Sequence, residues 1–426
     1  MTALNRLNAS DLAPRLARRE ISAEDLARAC LERIEAREPE VQAWACLDPE
    51  IALAQARALD RGAVRGMLHG LPVGVKDIFD THDMPTECGS PIYAGRRPGA
   101  DSAAVALARR AGAVVLGKTV TTEFATPTPT RTRNPLDPGR TPGVSSSGSA
   151  AAVADFMVPL AFGTQTGGSL IRPGAYCGAV AYKPTYNAIP RAGVKAGADS
   201  LDTVGVFGRS VADAALFAAA LTGRADWRIA TTLGSPPRIG LCRPADWGPI
   251  EPPMHDALDA AAKALAAAGA HVEHVALPAP FAGLRDAFAT VAWFEMARSL
   301  ADEYARFPER LGESVRAFCA EGYALDPARY DAALALARDC RERLAGAIGA
   351  CDVLLVPGAT GEAPAVDSLG DASMNVVWSL LHAPAITFPG GTGLAGLPLG
   401  LQVVGRIGDD SRLLACADWM AARVSR

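Results

Sequence analysis

The chain has 426 residues, 49% of them hydrophobic and 21% charged, which is the profile of a globular protein with a large buried core rather than a disordered or fibrous one. Its 42 basic and 46 acidic residues leave a net charge of -4, so no electrostatic footprint for nucleic acid or an anionic membrane is expected. Nine scattered cysteines without a CxxC pair, an early-charged N-terminus and no apolar run of roughly 20 residues predict a reduced, cytoplasmic, soluble protein.

In chain order, residues 1–60 read as helical scaffold. "ISAEDLARACLERIEAREPEVQAW" is an amphipathic helix with Ser22 as N-cap and Leu26, Cys30 and Ile34 on one face. From 65 to 210 the text alternates. Short apolar runs such as "LPVGVKD" and "GAVVLGKT" enclose a helical "DSAAVALARRAG", the pattern of buried strands with helical crossovers. Residues 253–350 are predominantly helical and are predicted to cover part of the sheet and wall the pocket. A strand-like "CDVLLVPGAT" and a glycine-rich "FPGGTGLAGLPLGLQVVG" follow. With no linker and no internal repeat, residues 1–426 are expected to form one large α/β domain, a central mixed β-sheet covered by helices.

Several chemistries are excluded by local pattern. Gly112–Thr119, "GAVVLGKT", satisfies the spacing of a phosphate loop, but its interior Ala-Val-Val-Leu is the strand itself rather than a flexible cradle. Six histidines form no HExxH pair, so neither a metal site nor a cofactor is expected. No serine lies in a GxSxG elbow or three positions before a lysine. A serine nucleophile here would need another base.

Two glycine and serine runs stand out. "PGVSSSGSAAAVA", from Pro142, sets Ser145, Ser146 and Ser147 at a helix start, where hydroxyls ordinarily cap free N–H groups. "FGTQTGGSLIRPGAYCG", from Phe162, reads as a strand leaving into a tight turn, with Ser169 opening a short helix. Gly167 and Gly168 would let consecutive N–H groups approach a developing oxyanion, although a purely structural turn has the same text.

Together with "YKPT", with "GLPVGVKD" ending at Lys76 and Asp77, and with "HAPAITFPGGTGLAGLPLGLQVVG" near the C-terminus, these runs resemble the amidase signature family along essentially the whole chain. The resemblance implies a Ser-cisSer-Lys triad: Ser169 as nucleophile, Ser145 as a bridging serine on a cis peptide, and Lys76 as the ultimate base. It also implies an oxyanion hole at Thr166, Gly167 and Gly168. A small amide would be hydrolysed to acid and ammonia through an acyl-enzyme. The base must be neutral to act, which burial of a lysine favours.

"QTGGSLIRP" and "SLDTVGVFG" are similar to the malonamidase branch, in which the matching arginine grips a substrate carboxylate. That likeness implies Arg172 as anchor for a malonamate-like substrate, with Gln165 beside it, and a homodimer. Alternatives are amides, carbamates or carboxybiuret-like urea derivatives, an amidotransferase A-type subunit passing ammonia to a second chain, or an inactive scaffold. The last rests on Val144, a β-branched residue where the family carries glycine before the bridging serine. Ser146 and Ser147 are expected to cap the following helix.

Overall fold

Short apolar runs become strands because each is bounded by a turn and has helices to bury both of its faces. The structure, a computed structural model, describes residues 3–229 and 233–424. Its strands are β1 (Trp44–Leu47), β2 (Pro72–Lys76), β3 (Val114–Thr119), β4 (Leu160–Gln165), β5 (Val180–Lys183), β6 (Thr203–Gly208), β7 (Arg238–Leu241), β8 (His271–His274), β9 (Val353–Pro357), β10 (Ala385–Thr392) and β11 (Pro398–Val404). They form one sheet in the order β1-β3-β2-β4-β6-β5-β10-β11-β9-β7-β8. The fold is thus a single α/β domain on a mixed sheet.

Three neighbouring strands place the site. β2 lies between β3 and β4 and is parallel to both, with every residue of the three strands buried. The parallel connections run through helices Ala103–Arg110 and Ser147–Ala154. Lys76 ends β2 and Gln165 ends β4, so both reach the carboxyl edge of the sheet, where open α/β sheets present ligand-binding groups. Lys118 of the phosphate-loop-like text is part of β3, fully buried, and pairs with Asp77 at 2.8 Å.

The Ser147–Ala154 helix packs unusually close to the sheet. A Cβ on Gly148 would lie 2.2 Å from the carbonyl oxygen of Ala43 and 2.4 Å from Val120 N, so only glycine fits there. This proximity explains the helix's small residues, "SGSAAAVA".

The N-terminal helix runs over Ala23–Val41, with Ser22 accepting the Asp25 N–H, and buries Leu26, Cys30 and Ile34. It stops before the end of the amphipathic text because Gln42 turns left-handed, and Trp44 then starts β1. The 253–350 segment is less uniformly helical than its composition suggests. His271–His274 forms an edge strand parallel to β7, its polar side chains at least partly exposed. An edge strand this short needs no apolar alternation, which is why its text reads as surface.

Helices Leu284–Ser299, Glu313–Ala324 and Pro327–Ile348 form the cover and contribute to a second apolar core with Ile171, Trp378 and Leu381. Polar contacts hang this cover from the sheet layer. Glu295, on the first of these helices, accepts from the Ser200 hydroxyl at 2.6 Å, and buried Glu303, on the short Ala301–Arg306 helix that follows it, accepts from Tyr93 Oη and Lys195 Nζ, both at 2.5 Å. No helix among the described residues is long and apolar enough to cross a membrane.

Candidate active site

The end of β2 delivers Lys76 into a site closed to solvent. Its Nζ lies 2.8 Å from Ser145 Oγ and 2.9 Å from Thr164 Oγ1, with no exposed surface. Burial pushes its pKa down to about 7, against an opposing pull from the Asp202 carboxylate. A substantial neutral fraction therefore exists near neutral pH. With Lys76 neutral, the same short contact lets the Ser145 hydroxyl donate to the amine.

Ser145 follows a cis peptide bond after Val144, and Gly143 before them has φ +80°. The neighbouring serines do not cap the helix with their side chains, contrary to expectation. Ser146 Oγ donates to the Thr164 carbonyl at 3.2 Å and accepts the Thr164 N–H at 3.3 Å. Ser147 Oγ donates to the Gly143 carbonyl at 2.7 Å. The first helical turn instead uses main chain, Gly148 N–H donating to the Val120 carbonyl, because the helix is packed too tightly for a side chain to fold back. The serines thus tie the turn carrying Ser145 to itself and to β4.

Beyond β4 the chain turns through Thr166–Ser169 into the Ile171–Cys177 helix. Gln165 has no exposed surface and does not line the cavity. Its Oε1 accepts the N–H groups of Leu170 and Ile171, both at 3.0 Å, and its Nε2 donates to Ser379 Oγ, which in turn donates to the Gly167 carbonyl. The glutamine expected beside the substrate is therefore placed behind the turn, where its donor and acceptor are both consumed. Thr166 Oγ1 donates to Asp202 Oδ1 at 2.5 Å. With the turn held this way, the N–H groups of Gly167, Gly168 and Ser169 bond no acceptor among the described residues. Ser169 is half-buried on the cavity wall, and no hydrogen bond links it to Ser145 in this structure.

The cavity in front of Ser169 measures about 640 Å³. Its lining is partly apolar, Phe288, Ala292 and Met296 standing four residues apart on a cover helix, with Val376 and Val144 also on the wall. Arg172 supplies a cation that is 5% exposed. Its Nη1 donates to the Gly370 carbonyl at 2.7 Å and its Nη2 to the Val144 carbonyl at 2.9 Å, while its buried Nε has no partner. No carboxylate among the described residues forms an ion pair with it. Burial lowers its proton affinity, and Tyr176 and Asp371 act in the opposite direction.

Away from this cavity, His82, Asp83 and Asp101 bring ligand atoms within 4.8 Å of one another. Arg109 pairs with both carboxylates and offsets the charge that would attract a cation.

Lys76, Ser145, Ser169 and Arg172 are thus gathered at one edge of the sheet from three separate stretches of chain. Thr164 and Asp202 join them and were not singled out from sequence. Their signal lay in the quoted motifs, as the threonine inside "GTQTGG" and the aspartate of "SLDTVG".

A mixed sheet with these groups at its carboxyl edge defines a class of protein, enzymes that act on the C–N bond of linear amides. The chain belongs to the amidase family, which residues 25–414 match. The A-type subunit of the glutamyl-tRNA(Gln) amidotransferase of Acidothermus cellulolyticus is 37% identical over 473 aligned positions, spanning 97% of this chain and 93% of that protein. The crystal structure of an amidase superposes with a TM-score of 0.90 at 31% identity, covering 98% of this chain and all of the other. The peptide amidase of Stenotrophomonas maltophilia superposes with a TM-score of 0.85, also at 31% identity, covering 99% and 97% of the two chains. Amidotransferase subunits thus stand among the similar proteins, a wider kinship than the malonamidase likeness of the sequence motifs.

Proposed function

We propose that the chain hydrolyses a carboxylate-bearing amide through an acyl-enzyme on Ser169. The observation that carries this reading is the buried Lys76, held down to a pKa of about 7 and 2.8 Å from Ser145 Oγ, beside a turn whose N–H groups are free. Ser169 Oγ attacks the amide carbonyl while its proton passes to Ser145 and the Ser145 proton passes to neutral Lys76. This step requires the Ser145–Ser169 contact to tighten when substrate binds. The oxyanion is received by the N–H groups of the Thr166–Ser169 turn.

On collapse, the proton held by Lys76 returns through Ser145 to the leaving nitrogen, and ammonia departs. Water then attacks the acyl-enzyme by the same relay, and the acid is released. The Arg172 guanidinium lines the cavity and can offer a substrate carboxylate the Nη N–H groups left over from its bonds to Gly370 and Val144. A malonamate-like compound is one small substrate of this kind.

Ser169→Ala is expected to lose about 10⁴-fold or more in turnover of such an amide and to lose labelling by a fluorophosphonate. Near-normal turnover by the purified variant would remove Ser169 from the mechanism.

A second reading, in which the chain serves within an amidotransferase, is supported by the 37% identity to the Acidothermus protein. It shares the acylation step and differs in what receives the ammonia. Ammonia release by the chain purified alone, at a rate that no second protein raises, would favour hydrolysis. A strict requirement for a second protein would favour transfer.

A further inference from the structure

Asp202 lies outside the triad, yet its carboxylate is bonded to one working part of the site and acts through its charge on the other. Oδ1 accepts the Thr166 hydroxyl at 2.5 Å, and Oδ2 accepts the N–H groups of Gly197 and Ala198 at 2.7 and 3.1 Å. Thr166 heads the turn whose next three N–H groups are free, so this bond fixes where the turn begins. The second relation is electrostatic. Lys76 packs against the hydroxyls of Ser145 and Thr164, and Asp202 is the charge that acts on it.

Asp77, next to Lys76 in the chain, is paired with Lys118 and so is not free to serve as its counter-charge. Behind Thr164 and Thr166 lies a small cavity of about 250 Å³, with Asp202, Asp199, Arg191 and Lys195 on its wall. Burial raises the pKa of Asp202, while its bond from Thr166, the Gly197 and Ala198 N–H groups and the Arg191 charge work to keep it ionised.

We propose that Asp202 is a positioning residue for acyl transfer, holding Thr166 at the head of the oxyanion turn and standing as the counter-charge to Lys76. The idea rests on the reading of Lys76 as base. A carboxylate here favours the lysine ammonium that forms when Ser169 attacks, and so assists proton uptake in acylation. Too strong a pull would leave no neutral lysine; the three hydrogen bonds spread the carboxylate charge and moderate that pull.

Asparagine at 202 can accept the Gly197 and Ala198 N–H groups with its oxygen and donate to Thr166, so D202N removes the charge and keeps the tether. T166V removes the tether and keeps the charge. The acid limb of kcat/KM is expected to move to lower pH in D202N, so that the ratio of D202N to wild-type activity rises about tenfold between about pH 8 and about pH 5.5. T166V should lower kcat about tenfold or more, as loss of oxyanion alignment does, and should not move the limb to lower pH.

An acid limb in D202N that coincides with the wild-type one overturns the proposal. Should circular dichroism show that D202N does not fold, T166V decides it: a wild-type kcat in that variant overturns the proposal and a selective kcat loss upholds it. A residual Lys76→Ala activity that keeps the wild-type acid limb would instead overturn the assignment of Lys76 as base, so the two failures are distinguishable.

Discussion

Arg172 Nη2 donates to the carbonyl oxygen of Val144 across 2.9 Å, joining the cation of the cavity to the peptide that presents Ser145. One side chain therefore faces two tasks, shaping the serine turn and offering its remaining N–H groups to a ligand.

These tasks separate by substrate. Arg172→Met is expected to lower kcat/KM for a carboxylate-bearing amide about 10- to 100-fold more than for a neutral amide of the same size, the worth of a charge-assisted bidentate contact. Both substrates should also lose several-fold through the freed Val144 carbonyl. Equal losses, measured on the matched pair, would leave Arg172 only its role in the turn.

The pH dependence of activity follows from burial of Lys76. In the proposed relay the neutral amine is the working form, and with its pKa at about 7 kcat/KM should climb with pH through about 7 and level off above it. A profile on a non-ionising amide tests this directly. A limb near the ordinary lysine value of about 10.4 would contradict the burial argument.

Val144 lines the cavity with a β-branched side chain at a position where the family resemblance implies glycine. Val144→Gly should admit bulkier acyl groups, raising kcat/KM for a branched amide relative to acetamide. The variant should lose about 0.5–1 kcal/mol of stability through the freer backbone, read from urea unfolding. An unchanged preference would show that the valine does not limit the acyl side.

Lys183, at the end of β5, is like Lys76 and Lys118 without exposed surface, and its pKa is pushed down to about 7 by burial. In the unfolded chain it would titrate near about 10.4, so between the two values the unfolded state binds more protons and folding stability rises with pH. Lys183→Met should flatten that rise between about pH 7 and 10 without abolishing it, because Lys76 contributes the same sign. Urea unfolding at several pH values measures the slope, and an unchanged slope would refute the assignment.

The residues proposed for the chemistry were legible in the sequence because their pattern is local. Lys76 ends a short apolar run, Ser145 and Ser169 sit in glycine-bounded turns, and each resemblance is carried within a dozen neighbours. Ser146 and Ser147 read as caps because a helix start announces itself locally, whereas the carbonyls of Thr164 and Gly143 that receive their hydroxyls are set by packing. The same holds for Gln165, whose partner Ser379 is more than two hundred positions away. Asp202 reaches Thr166 only because β6 runs antiparallel to β4, a pairing that neither strand's own text specifies. The polar edge strand His271–His274 likewise depends on β7 rather than on its own residues.

The cover helices also divide the labour of the enzyme. The proposed reaction groups sit on the sheet edge and its turns, while the apolar wall formed by Phe288, Ala292 and Met296 belongs to a separate helix tied to the sheet layer through Glu295. Substitutions on one face of that helix can therefore reshape the cavity while leaving Lys76, Ser145 and Ser169 untouched. A scaffold arranged in this way can change its diet by point substitution without first having to rediscover its chemistry.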